Sequence, residues 1–157
     1  KPERDYHLFS QELVLKYKKQ FEVKDIYLFE FMVTNNSWWD TIDFISPNLL
    51  GDYFKKYPDQ INNVTSKWMQ SGNIWLQRSC VLFQLKYKED TDFDLIAKLI
   101  HQLEGSNEFF INKAIGWILR QYSKTNPVLV VEFVGENRLS GLSRREARKW
   151  MQSRGLV

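Results

Sequence analysis

Trp39, Arg78 and Trp117 stand 39 residues apart, each in a similar setting: a cap-like Ser, Asn or Glu, then an aromatic-rich helical run. The three segments read SWWDTIDF, NIWLQRSCVLF and EFFINKAIGWILRQY. A period of about forty residues, with two or three helices per unit, is the pattern of a HEAT-like α-solenoid of stacked antiparallel helix pairs. In such a stack the same face of successive helices lines one concave wall. Residues at equivalent positions then converge on one groove.

The rest of the chain agrees with an all-α reading. Strand signals are nearly absent. The best candidate, PVLVVEF, also fits a helix opened by Pro127 with Asn126 as its cap. In TDFDLIAKLIHQL the residues Phe93, Ile96, Leu99, Ile100 and Leu103 form one helical stripe, with Thr91 and Asp94 at capping spacing and Gly105 as a stop. Ten helices are expected, over 5–18, 24–34, 37–45, 47–57, 59–70, 74–87, 92–104, 108–123, 127–136 and 143–153. The connections are short and polar, so residues 1–157 read as a single repeat domain.

Composition removes several classes of function. The chain is long enough for a sizeable core, and its 43% apolar content argues for folding rather than disorder. A net charge of +3 is too mild to announce a nucleic-acid partner by itself. No apolar run approaches a membrane span, and there is no secretory h-region. Cys80 is the only cysteine, which excludes an intramolecular disulfide and fits a reducing, cytoplasmic compartment. It lies in an apolar helical run and reads as an inert buried thiol. His7 and His101 are isolated, which argues against a histidine triad or a metal site. There is no glycine-rich phosphate loop and no helix-hairpin-helix signature.

The residues of SWWDTIDF allow two readings. Tryptophan in a helix is usually core, and an aspartate is usually solvated or capping. Asp40, three residues after Ser37, suits a first-turn role. Trp68, Trp75 and Trp150 read as packing residues. Arg78 interrupts an apolar helix and, if buried, needs a partner such as a carboxylate on a neighbouring helix. The functional reading combines an aspartate, indoles and an arginine in one groove. Trp39 and Asp43 are four apart and share a helix face. Indole faces attract cations, a carboxylate stabilises developing positive charge, and arginine grips phosphate. A modified nucleotide in DNA has features that match all three. The end of the chain carries Arg138, Arg144, Arg145, Arg148, Lys149 and Arg154 against Glu146 as the one acidic residue, with Ser143 and Glu146 at capping-box spacing. This stretch is either a solvated terminal cap or a run of phosphate contacts.

The segments SWWDTIDFISPNLLG, SGNIWLQRSCVLFQLKYKE, FFINKAIGWILRQYSKTNP and LSRREA together resemble the AlkD-type DNA alkylation-repair glycosylases, across most of residues 37–147. The resemblance implies a helical HEAT-like protein that hydrolyses the N-glycosidic bond of positively charged alkylpurines, such as 3-methyladenine and 7-methylguanine, in duplex DNA. It implies that Asp43, Trp39 and Trp117 are catalytic and that Arg78 lies on the DNA backbone. Arg120, Arg144, Arg145 and Arg148 join Arg78 as expected DNA-binding residues. It implies chemistry directed at the deoxyribose without obligatory base flipping, no metal or organic cofactor, a monomer, and a bacterial-type, nucleoid-associated protein of the cytoplasm. Members of the family are longer at the N-terminus, so the chain corresponds to roughly the C-terminal two-thirds of one. The competing reading is a non-catalytic HEAT-like module that binds DNA or protein.

Overall fold

A computed structural model describes residues 2–35 and 37–157. The protein is all-helical: among the described residues there are ten α-helices and no strand. They are α1 (Pro2–Lys16), α2 (Ile26–Thr34), α3 (Trp39–Ile45), α4 (Gly51–Lys56), α5 (Gln60–Gln70), α6 (Ile74–Leu82), α7 (Phe93–Gln102), α8 (Phe109–Tyr122), α9 (Pro127–Glu136) and α10 (Gly141–Ser153). No helix among the described residues is long and apolar enough to cross a membrane. The chain divides into two compact units, Lys1–Phe83 and Gln84–Val157.

The first unit is built on a chain of aromatic rings. Phe21, Phe29, Tyr53, Phe54 and Phe83 meet edge to face in succession, with centroids 4.8–5.6 Å apart. These contacts join α2, α4 and the end of α6 around buried Val33, Ile42, Ile45, Leu49 and Leu82. Each such pair adds about 0.5–1.5 kcal/mol beyond the apolar area it buries. Tyr53 completes its polar end by donating to the carbonyl of Val23, at 2.8 Å.

The break expected between helices 37–45 and 47–57 is absent. Helix α3 runs into α4 through a π-helical segment, Ser46–Leu50. Pro47 is the cause: it lacks an N–H, and its ring would strike the carbonyl four residues back, that of Asp43. A wider π turn accommodates the ring without ending the helix. Helix α6 is capped by Asn73, whose side chain accepts from the N–H groups of Trp75 and Leu76. It stops at Leu82 rather than near residue 87. Gln84 then turns its side chain onto the Asp92 backbone, accepting at 2.8 Å from its N–H.

The second unit packs α7, α8, α9 and α10. Phe93 stacks on Tyr122 at 4.9 Å and meets Phe133 edge to face at 5.3 Å. Ile96, Ile100, Ile111, Ile118, Val130 and Met151 fill the core around them. The cap of α7 is Asp92, which accepts from Leu95 N, rather than Thr91. Gly105 has φ +80 just after the helix, a conformation that favours glycine, as expected of a stop. Asn126 caps α9 ahead of Pro127 as the sequence indicated. The capping box expected of Ser143 and Glu146 is not formed. Ser140 is the cap of α10, and Ser143 turns its hydroxyl to the Asn112 carbonyl on α8 at 2.9 Å.

Helices α8 and α10 approach closely because Gly116 has no side chain. A Cβ placed there would lie 2.4 Å from Glu146 Cβ and 2.9 Å from the Ser143 carbonyl oxygen.

Candidate functional site

In the first unit, Trp38 is the extended residue that precedes α3, and its carbonyl accepts the Ile42 N–H. Trp39 is the first residue of the helix and is 45% exposed, so it is not a core tryptophan. Asp40 accepts from Thr41 N and pairs with Arg4 of α1, which fits its expected place in the first turn. The guanidinium of Arg4 also lies over the Trp38 ring, 5.9 Å from its centroid. Ser37 is not the cap; its hydroxyl donates back to the Val33 carbonyl.

Asp43, one turn from Trp39, faces α6. Arg78 Nε and Nη2 both donate to Asp43 Oδ1, at 2.9 and 2.7 Å, and Oδ2 takes neither bond. The arginine side chain is only 4% exposed and the aspartate 18%. Burial pushes the Asp43 carboxyl above the usual aspartate value, and the charge and hydrogen bonds of Arg78 offset this only in part. The register of the pair is set nearby. The hydroxyls of Ser46 and Ser79 meet at 3.1 Å, each also within reach of the carbonyl four residues back on its own helix. The π segment therefore starts where α3 is fastened to α6.

Cys80 follows two residues later, buried, with its thiol pushed far up by loss of solvent. That environment disfavours a thiolate nucleophile. Trp68 is buried and donates its Nε1–H to Glu30 at 3.2 Å, a packing role as expected.

In the second unit, Trp117 is half-buried on α8. Lys113 and Arg120 lie four residues before it and three after, on the same helical stripe. Both reach Glu146 of α10: Lys113 Nζ to Oε1 and Arg120 Nη1 to Oε2, each at 3.1 Å. Lys149 joins at Oε1, at 2.5 Å. Burial alone would raise the Glu146 carboxyl, but the hydrogen bonds and charges of Lys149 and Lys113 outweigh it and hold the group below the usual glutamate range.

The arginines of the basic tail differ among themselves. Arg144 donates from Nε to the Leu139 carbonyl at 3.1 Å and from Nη2 to the Asn137 carbonyl at 2.7 Å, fastening the turn between α9 and α10. Arg145 and Arg148 are exposed on α10. In sequence Lys113 is one lysine among many, and Glu146 reads as a capping residue. The i, i+4, i+7 spacing of Lys113, Trp117 and Arg120 was the available signal for the lysine.

The sequence matches the DNA alkylation repair enzyme family over residues 1–151. Among solved structures it is similar to one described as "Predicted DNA alkylation repair enzyme from Enterococcus faecalis", with 34% identity and a TM-score of 0.87. That match covers 94% of this chain and 69% of the other. No curated protein matches the chain. The chain belongs to the DNA alkylation repair enzyme family. A role in the repair of alkylated DNA, and DNA as the partner, follow from that membership.

Proposed function

We propose that the protein is a monofunctional DNA glycosylase that hydrolyses the N-glycosidic bond of cationic N3- and N7-alkylpurines in duplex DNA. One observation supports this above the rest. A half-buried carboxylate, Asp43, lies one helical turn from an exposed indole, Trp39, and a buried arginine holds one of its two oxygens.

An alkylated purine of this kind carries a formal positive charge and needs no general acid to depart. The bond between C1′ and the purine nitrogen breaks with its electron pair going to the base, which leaves neutral. The sugar passes through an oxocarbenium-like state. Water adds to C1′, and the proton it sheds passes by way of Asp43 Oδ2 to solvent. Asp43 stabilises the developing positive charge and orients the water, while Arg78 fixes the orientation of its carboxylate. Trp39 and Trp117 pack on the lesion and favour its cationic form. Arg145 and Arg148 contact the phosphate backbone.

The test is single-turnover release of 7-methylguanine from methylated duplex DNA. A carboxylate about 4 Å from a developing cation is worth about 4 kcal/mol at an effective dielectric near 20. Part of that attraction already exists in the cationic ground state, so only the remainder accelerates the reaction. Asp43→Asn should therefore slow release by roughly ten- to a thousand-fold, at about 1.4 kcal/mol per decade. Asp40→Asn should change it by no more than a few-fold, about the size of a helix-start effect.

The Arg78–Asp43 pair also supports a second reading, a non-catalytic module in which the pair only bridges α3 and α6. A parent protein that binds duplex DNA but releases no 7-methylguanine would establish that reading, whereas release at the parent rate by folded Asp43→Asn would remove Asp43 from the chemistry.

A further inference from the structure

Glu146 is an unusual residue to find under a basic face. Its side chain is 5% exposed, while those of Lys113, Arg120 and Lys149, all paired to it, are 37%, 31% and 49% exposed. A single cation would neutralise the buried carboxylate; three leave a surplus of positive charge at the surface. Among the described residues none of the three has a second carboxylate partner.

The geometry of α8 and α10 accounts for the arrangement. The absence of a side chain at Gly116 lets α10 approach until Glu146 lies against α8, beneath the stripe of Lys113, Trp117 and Arg120. Its two oxygens are divided, one for the lysines and one for the arginine. Long flexible cations lose rotamer freedom when they grip an anion, at a cost of about 0.5–1.5 kcal/mol per side chain. A buried acceptor that orders them beforehand removes part of that cost.

We propose that Glu146 is a positioning residue for DNA: it orders Lys113 and Arg120 into a pair of phosphate donors on either side of Trp117. The proposal rests on the reading of the protein as one that engages duplex DNA. Glu146 touches no phosphate itself, and its own charge repels one. Its value to binding lies in the placement of the two cations.

The sign of one substitution separates this from simpler roles. Glu146→Gln removes a negative charge from a face that meets a polyanion. If Glu146 were an electrostatic bystander, binding would tighten. If it only joined α8 to α10, the melting temperature would fall while the salt dependence of the folded protein stayed as it was. As a positioning residue it makes binding to an undamaged duplex weaker when replaced, by roughly three- to tenfold. The slope of log affinity against log salt, taken between about 50 and 200 mM, falls by about one unit for each phosphate no longer gripped.

Lys113→Gln and Arg120→Gln each reduce the slope by about one unit, and each has a smaller effect when Glu146 is already Gln. Unchanged slope or tighter binding in folded Glu146→Gln overturns the proposal. If that variant does not fold, the two cation variants decide, and unchanged slopes in both overturn it. A parent chain that does not bind duplex DNA overturns this proposal together with the DNA reading. A parent that binds but releases no 7-methylguanine overturns the glycosylase reading alone.

Discussion

Asp43 and Arg78 form a largely buried ion pair between α3 and α6. The arginine is buried, its Nε and Nη2 bonds to the carboxylate both end on one oxygen, and it has little surface to offer a phosphate. Arg78→Ala leaves Asp43 without its counter-charge. It should lower stability by about 3–5 kcal/mol, the usual cost of removing one partner of a buried pair. It should leave the salt slope of DNA binding unchanged, whereas a direct phosphate grip would lower it by about one unit. Affinity against salt, with a denaturation curve for each protein, measures both. The pH profile gives a second prediction. Burial holds the folded-state Asp43 carboxyl above the usual aspartate value, and the proposed mechanism needs the anion, so the excision rate should fall as pH drops through a midpoint above that usual value. Because Arg78 pulls the carboxyl down, Arg78→Ala should move this acid limb to higher pH. Asp43→Asn should abolish the limb.

Among the elements, α3 and α8 hold most of the candidate site residues. α3 continues through Pro47 only because the π turn accommodates the ring, and the same turn brings Ser46 against Ser79 beside the Asp43–Arg78 pair. α8 depends on Gly116. Alanine there gains about 1 kcal/mol of helix propensity. Its Cβ, however, would lie 2.4 Å from Glu146 Cβ and 2.9 Å from a backbone oxygen, neither of them the end of a flexible side chain. Overpacking of this kind costs about 1–3 kcal/mol, at times more. Gly116→Ala should therefore destabilise the second unit. Gly135→Ala in α9, where nothing lies within 4 Å, should be neutral or stabilising by up to about 1 kcal/mol. Chemical denaturation of the two variants side by side checks the contrast.

At the scale of the whole molecule, Trp39, Asp43 and Arg78 belong to the first unit and Trp117 to the second. Trp39→Ala and Trp117→Ala should each reduce excision of cationic lesions more than binding to undamaged duplex, by about 0.5–2 kcal/mol where the ring meets the lesion partly desolvated. Loss of a packed indole can cost about 3–5 kcal/mol of stability, so a melting curve accompanies each rate. Equal losses on damaged and undamaged DNA would assign both indoles to structure.

The sequence alone was sufficient for the all-helical class and for the approximate place of most helices. Apolar spacing, the Asn126–Pro127 start and the Gly105 stop are local signals, and local backbone preferences act on them directly. The i, i+4 relation of Trp39 and Asp43 is likewise a property of a single helix. What the tertiary structure decided depends on pairs far apart in the chain. That Arg78 is spent on Asp43, that Glu146 is buried under Lys113 and Arg120 rather than closing a capping box, and that Arg144 fastens a turn are all set by which helices pack together. A charged side chain reads the same in sequence whether it faces water, a phosphate or a buried carboxylate. Only the packing of α3 on α6, and of α10 on α8 at Gly116, determines which of these it meets.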